Sequence, residues 1–212
     1  MLREPSCEIN LFCSTCGKGQ PKRSPVNRRW YIVIAVILVC DAIGLVIWLN
    51  SRKTHRYDTQ IRDAAKRYDI DPALVKAVVW KESRFNADAV GGVGELGLMQ
   101  LRELAASEWA DAELLDSFRF EHLSHPTTNT LAGAWYLAKM LKRYRHCDNP
   151  IPFALADYNA GRTKVLTWLQ GEAKTNSEAF LAIMDYPGTK AYIGEIMTAQ
   201  EKFKRDFPAV MR

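Results

Sequence analysis

At 212 residues, 48% hydrophobic and 25% charged, the chain has the make-up of one ordinary globular domain plus an appendage, which excludes a disordered or low-complexity protein. Its formal charge of +5 is unevenly placed: residues 1–57 hold nine Lys/Arg against three Asp/Glu, and residues 58–212 hold twenty against twenty-one. A nearly neutral main domain argues against nucleic-acid binding, because a reader of DNA or RNA carries its positive patch on the folded module.

Residues 1–29 form a basic leader with Cys7, Cys13 and Cys16. Their C-x5-C-x2-C spacing would offer three ligands to a zinc or redox site. A structural zinc needs a fourth, and no histidine lies near, so reduced thiols on a cytoplasmic tail are the expected reading. Residues 30–49 follow with twenty residues and a single charge, Asp41, long enough as a helix to cross a bilayer. A central Asp costs about 3 kcal/mol on an insertion scale, and the Ile, Leu and Val side chains together outweigh it. Trp30, Tyr31 and Trp48 stand at the ends of the span, where an aromatic belt belongs. Neither a signal-peptidase site nor a lipobox fits, since "AIG" at 42–44 lies inside the apolar run and Val39 precedes Cys40. An uncleaved anchor is expected, with the N-terminus inside, although Lys/Arg counts on the two flanks scarcely differ.

Residues 50–58, "NSRKTHRYD", read as a juxtamembrane linker, residues 59–205 as the main domain and 206–212 as a tail. Cys147 is the single cysteine of the main domain, so no disulfide forms within it. Helical periodicity runs through the domain without an alternating apolar stretch, which predicts an all-α fold. "DPALVKAVVWKES" predicts a helix capped by Asp71 with Pro72 at its first position. "HPTTNTLAGAWYLAKMLKRYRH" predicts a second, with Leu131, Trp135, Ala138 and Leu141 or Lys142 on its inner face. Further helices are expected near 151–160, 163–170, 176–184 and 187–205, punctuated by Pro150, Gly161, Gly171 and Pro187.

The chemistry concentrates at Glu82. Val75, Val78, Val79 and Glu82 fall at i, i+3, i+4 and i+7, so the carboxylate extends a stripe that faces a core. Desolvation there and the negative end of the helix dipole both favour a protonated acid, as a general acid requires. The plainer alternative is a helix-end Glu that turns to solvent or pairs with Arg84. Behind it, Gly91, Gly92, Gly94 and Gly97 allow close backbone approach or positive φ before "GLMQ" brings Met99 and Gln100 toward the same cleft.

"ESRFN", "GELGLMQL", "NTLAGAWYL", "ALADYNAG" and "AYIGEI" occur together in that order. The set resembles the lytic transglycosylases of the soluble (SLT) type, over roughly residues 59–205. The resemblance implies a goose-lysozyme-like helical fold with Glu82 as sole catalytic acid and base. It also implies that Ser83, Met99, Gln100, Tyr158, Asn159 and Tyr192 bind substrate, with Asn129, Gly133 and Tyr136 as scaffold. The implied substrate is the glycan strand of peptidoglycan, cut between N-acetylmuramic acid and N-acetylglucosamine without metal or organic cofactor. Glu82 would protonate the glycosidic oxygen and then take the proton of the muramic C6 hydroxyl as a 1,6-anhydro ring closes, so the substrate supplies its own nucleophile.

The chain departs from the family pattern in having Asp157 where Ala is frequent, Gly91 near a frequent Ser, Arg102-Glu103 where Met-Pro is frequent, and Gly188-Thr189-Lys190 where Glu-Thr-Arg is usual. A hydrolytic muramidase would need a second carboxylate, for which Asp88, Glu95 and Asp157 are the candidates, with solvated loop acids as their bland reading. A non-catalytic peptidoglycan-binding scaffold is the alternative from another class. Trp80, Trp109, Trp135 and Trp168 offer sugar-stacking faces, though tryptophan at helical spacing more often belongs to a core. The expected location is the bacterial cytoplasmic membrane, single-pass, with the catalytic domain on the extracytoplasmic side.

Overall fold

The computed structural model describes residues 28–207. The expectations for the cysteine leader, and for all but the start of the tail, lie outside the described residues. Helix α1 is Arg28–His55, α2 Asp58–Arg67, α3 Pro72–Ser83, α4 Glu103–Ala112, α5 Pro126–Arg143, α6 Pro150–Ala160, α7 Arg162–Trp168, α8 Ser177–Ile183 and α9 Pro187–Phe203. Among the described residues the only β pairing is a pair of isolated bridges in the glycine loop, Val90 with Leu96 and Leu96 with Leu101. The all-α expectation holds, with helix ends within a few residues of their Pro and Gly signals. Helix α4 was not anticipated, because Arg102 at its N-cap offers no side-chain cap to read.

The chain divides into two units, residues 1–46 and 47–212. In the first, α1 is apolar all round and long enough to cross a membrane, and its large side chains from Trp30 onward are exposed. The expected linker at 50–58 is mostly helix instead. No Gly or Pro interrupts the chain between Gly44 and His55, and Arg52, Lys53 and His55 in the last turn suit the negative end of the helix dipole.

In the second unit α3 is the central element, packed on α9 and α2, while α5 packs on α6, α2 and α4. Asp71 caps α3 as expected, accepting a hydrogen bond from the Ala73 amide at 2.8 Å. Residues 73–79 of α3 are all buried, including Lys76. The inner face of α5 differs from the expected one: Ala132, Gly133, Leu137 and Met140 are buried, whereas Leu131, Trp135, Ala138 and Leu141 are half-buried and Lys142 is exposed. Reading the large side chains misplaced the face, because here small residues let neighbouring segments approach the helix most closely.

Lys76 is fully buried, yet its Nζ lies 2.6 Å from Asp58 Oδ1, 2.7 Å from Asp206 Oδ2 and 3.3 Å from His55 Nδ1. The phenyl rings of Phe203 and Phe207 stand 5.1 and 5.4 Å from the same ammonium. One cation thus ties the end of α1, the start of α2 and the turn after α9 to the middle of α3. Removing one partner of such a cluster leaves the opposite charges uncompensated. Lys76→Ala should therefore lower the unfolding free energy by about 3 kcal/mol, measured by chemical denaturation of the detergent-solubilised protein.

Candidate active site

Helix α3 ends one residue after Glu82. Arg84 closes it in the left-handed region at φ 51° and ψ 40°, its amide donating to the Trp80 carbonyl at 3.1 Å. Phe85 also has positive φ, 61°, and buries its ring edge-on against Phe203. Two successive non-glycine residues in this region hold strain that the packing of Phe85 maintains. The Arg84 guanidinium stacks 3.7 Å from the Trp80 ring centre and forms no ion pair with Glu82, which removes the plainer alternative for the acid.

Glu82 instead turns into the protein. The Tyr192 hydroxyl on α9 donates to its Oε1 at 2.6 Å. Burial pushes the Glu82 carboxyl up to about 6; the Tyr192 hydrogen bond and Lys81 pull the other way, and Glu95 adds a smaller upward push. The same burial, together with the Glu82 charge, drives the Tyr192 and Tyr158 phenols well above their ordinary value. Both tyrosines therefore remain neutral donors.

The glycine loop is clasped onto α5 by one buried amide. Asn129 Nδ2 donates to the carbonyls of Leu96 and Leu123 at 2.8 and 3.0 Å, and its Oδ1 accepts from the Met99 amide at 2.8 Å. Gly97, at φ +76°, passes so close to Asn129 and to the Leu123 carbonyl that a Cβ would overlap both. Gly133 makes room for Met99 in the same way, a Cβ there coming within 2.8 Å of Met99 Cβ. The Met99 carbonyl in turn accepts the Tyr158 hydroxyl at 2.7 Å. A chain of contacts from α5 through the loop to α6 thus fixes the cleft wall.

The sequence-predicted residues divide accordingly. Glu82, Tyr158 and Asn159 line one cleft of about 350 Å³, and Tyr192 reaches it through its bond to Glu82. Met99 and Gln100 do not line it: Met99 is fully buried, and the Gln100 amide donates to the Ala89 and Gly97 carbonyls at 3.0 and 2.9 Å. Ser83 also turns inward, its hydroxyl donating to the Val79 carbonyl at 3.1 Å. Asn159 accepts the hydroxyl of buried Thr189 at 2.8 Å through Oδ1, which directs its Nδ2 away from Thr189. Tyr158 spends its proton on Met99, so it contributes to the cleft a fixed ring, edge-packed on Tyr136 at 5.6 Å.

Of the candidate second carboxylates, Asp88 is exposed on the loop. Asp157 is no solvated loop acid: it is 2% exposed on α6, paired with Arg143 and accepting the Tyr144 hydroxyl at 2.9 Å. Glu95 lies on the cleft wall and accepts the Val93 amide at 3.1 Å. Trp109 and Trp168 are core, Trp80 and Trp135 are half-buried, and none of the four lines the cleft. A separate groove of about 770 Å³ lies between residues 68–74 and 135–151, but the acid displaced toward neutrality, Glu82, lies in the smaller cleft, so chemistry places the site there. Arg102, Tyr136 and Thr189 were missed as cleft-forming residues. The cation standing where the resemblance has Met was the available signal for the first, and the aromatic one turn from Ala132 for the second.

The model of the transglycosylase SLT domain matches residues 59–181. The membrane-bound lytic murein transglycosylase F of Desulfosudis oleivorans is 37% identical over 109 residues, 50% of this chain and 22% of that protein. The soluble lytic murein transglycosylase of Salmonella typhimurium is 29% identical over 196 residues, 90% of this chain and 29% of that protein. The chain thus spans under a third of either relative. Among solved structures, the 70 kDa soluble lytic transglycosylase of Escherichia coli superposes with a TM-score of 0.61 at 25% identity, covering 69% of this chain and 24% of that one. The Pseudomonas aeruginosa lytic transglycosylase Slt, an inactive mutant, shares the fold with a TM-score of 0.65 at 23% identity, covering 72% of this chain and 24% of that one.

The raised Glu82 carboxyl is also a statement about stability. Its folded value of about 6 exceeds the ordinary 4.5, so the fold binds the proton more tightly than the unfolded chain does. The contribution of this group to stability is therefore greatest at low pH and falls as pH climbs through that interval, by about 2 kcal/mol in all. Glu82→Gln removes the titration: it should be more stable than wild type near pH 7.5 by up to about 2 kcal/mol, the advantage vanishing near pH 4. Thermal or chemical unfolding of both proteins at the two pH values checks this.

Proposed function

The chain belongs to the transglycosylase SLT domain family, and from that premise we propose that it is a peptidoglycan lytic transglycosylase. The observation that carries the reading is a lone carboxylic acid, held near neutrality by burial, in a cleft whose most buried other acid is already paired with Arg143. Such an acid donates a proton to the glycosidic oxygen between N-acetylmuramic acid and N-acetylglucosamine. As the bond breaks, the resulting Glu82 anion is stabilised by the Tyr192 hydrogen bond and is placed to accept the proton of the muramic C6 hydroxyl. Closure of the 1,6-anhydro ring consumes that oxygen, so no activated water enters. Asn159, oriented by Thr189, offers an amide to the sugar, and the Tyr158 ring forms the far wall. Ser83, Met99 and Gln100 act by holding helix end and loop in place rather than by touching substrate.

Residues 30–49 of α1 anchor the protein in the cytoplasmic membrane, with the leader inside and the catalytic unit on the extracytoplasmic side where the glycan lies. A membrane-bound relative supports the anchoring. Glu95 on the cleft wall is the specific observation favouring a second reading, a hydrolytic muramidase in which that carboxylate activates water.

Three measurements test the mechanism. Purified sacculi digested with the full chain in detergent should yield muropeptides with anhydro ends, one water lighter than hydrolysis products by mass spectrometry. Glu82→Gln should lower the rate about a thousandfold. Reducing ends alone would establish the muramidase. Because the Tyr192 hydroxyl favours the ionised carboxyl, Tyr192→Phe leaves desolvation opposed only by Lys81 and should move the alkaline limb of the kcat/KM profile to higher pH.

A further inference from the structure

The cleft around Glu82 is lined by four acids, Glu82, Glu95, Glu108 and Asp157, and by a single Lys or Arg, Arg102. Glu108 is paired with Lys139, Asp157 is paired with Arg143, and Glu82 holds its proton up to about pH 6. Arg102 has the least committed charge of the wall. Its side chain is 65% exposed, and its one carboxylate neighbour, Glu95 Oε1, stands 3.7 Å from Nε, beyond hydrogen-bond distance.

The base of that side chain is nevertheless rigid. Leu101 is 2% exposed, and its amide and carbonyl are both bonded to Leu96, at 3.1 and 3.0 Å. Arg102 follows as the first extended residue before α4, with φ −88° and ψ 157°. A guanidinium on a fixed stem, with no close hydrogen-bonded acid, presents its planar fork of donors to a carboxylate arriving from solvent.

Resting on the transglycosylase reading, we propose that Arg102 forms an anion subsite at the cleft mouth that receives a free carboxylate of the peptide stem carried by the glycan. The sugar rings are uncharged, and the muramic lactyl group is consumed in the amide to the stem. The anions that accompany a strand lying on Glu82 are therefore those of the stem. The cleft selects peptide-bearing glycan through this contact, and Glu95 holds the guanidinium over the opening without neutralising it closely.

The test compares kcat/KM of the full chain in detergent on peptide-bearing strands and on the same strands with their stem carboxylates chemically amidated. Wild type should favour the charged strands by about tenfold, chiefly through KM. Arg102→Met should abolish that preference, and Arg102→Lys should keep part of it, since the charge remains while the fork is lost. Equal kcat/KM of wild type on both strands overturns the subsite, as does an Arg102→Met enzyme with the wild-type preference. Dissociation constants for the two strands on Glu82→Gln and on Glu82→Gln/Arg102→Met give the same ratio without turnover. Failure of wild type to cleave either strand therefore overturns the enzymatic reading, while the subsite is still judged by binding.

Discussion

A carboxylic acid withdrawn from water at the end of an apolar helix is the constraint from which the rest of this domain follows. Burying Glu82 costs the fold stability at neutral pH, and that cost is what keeps a proton on the carboxyl near neutrality, as the proposed reaction requires. The surrounding groups limit how far the displacement goes. Tyr192 donates one hydrogen bond, enough to steady the anion after the proton leaves, while Lys81 is engaged by Glu195 at 2.8 Å and acts only from a distance. A direct ion pair would have lowered the acid into its ordinary range and disabled it as a donor; stacking on Trp80 keeps Arg84 from making one.

Holding that acid at a defined place requires a rigid opposite wall, and the wall is built from a glycine-rich loop that would otherwise be mobile. Asn129 satisfies two loop carbonyls and one loop amide at once, and Gly97 and Gly133 permit the backbone approach that makes those bonds possible. Met99 then transmits the position of α5 to Tyr158 on α6 through its carbonyl. Removal of any one contact loosens the same object, so these buried polar groups are better described as one network than as separate stabilising bonds. Lys76 does for the α1, α2 and α9 ends what Asn129 does for the loop.

What could be read from the amino acids was the part dictated by local chemistry. Asp71 and Pro72 start α3 where capping physics requires, and the i, i+3, i+4, i+7 stripe places Glu82 toward the interior. The glycines announced a close approach without saying to what. The differences came where tertiary contacts decide: Met99, Gln100 and Ser83 are polar or apolar in ways that suit a cleft, yet Met99 and Gln100 turn inward to serve as partners within the loop and Ser83 bonds back to its own helix. Asp157 read as a loop acid because its partner Arg143 lies fourteen residues away on another helix, a separation no local pattern encodes.

The junction after the loop shows how the surface of such a cleft can change while its frame persists. The resemblance sets Met-Pro where this chain has Arg102-Glu103, and Glu103 is the first residue of α4. Proline suits that position by its fixed φ and missing donor; an acid suits it by favouring the positive end of the helix dipole. Either choice starts the helix, so the backbone after Leu101 keeps its course, pinned by Leu96. The preceding residue, extended and half free of packing, is then at liberty to change from an apolar side chain to a cation without disturbing Glu82. On the proposed reading, the buried half of the wall holds the acid in place, and the exposed half is where discrimination among strands can change.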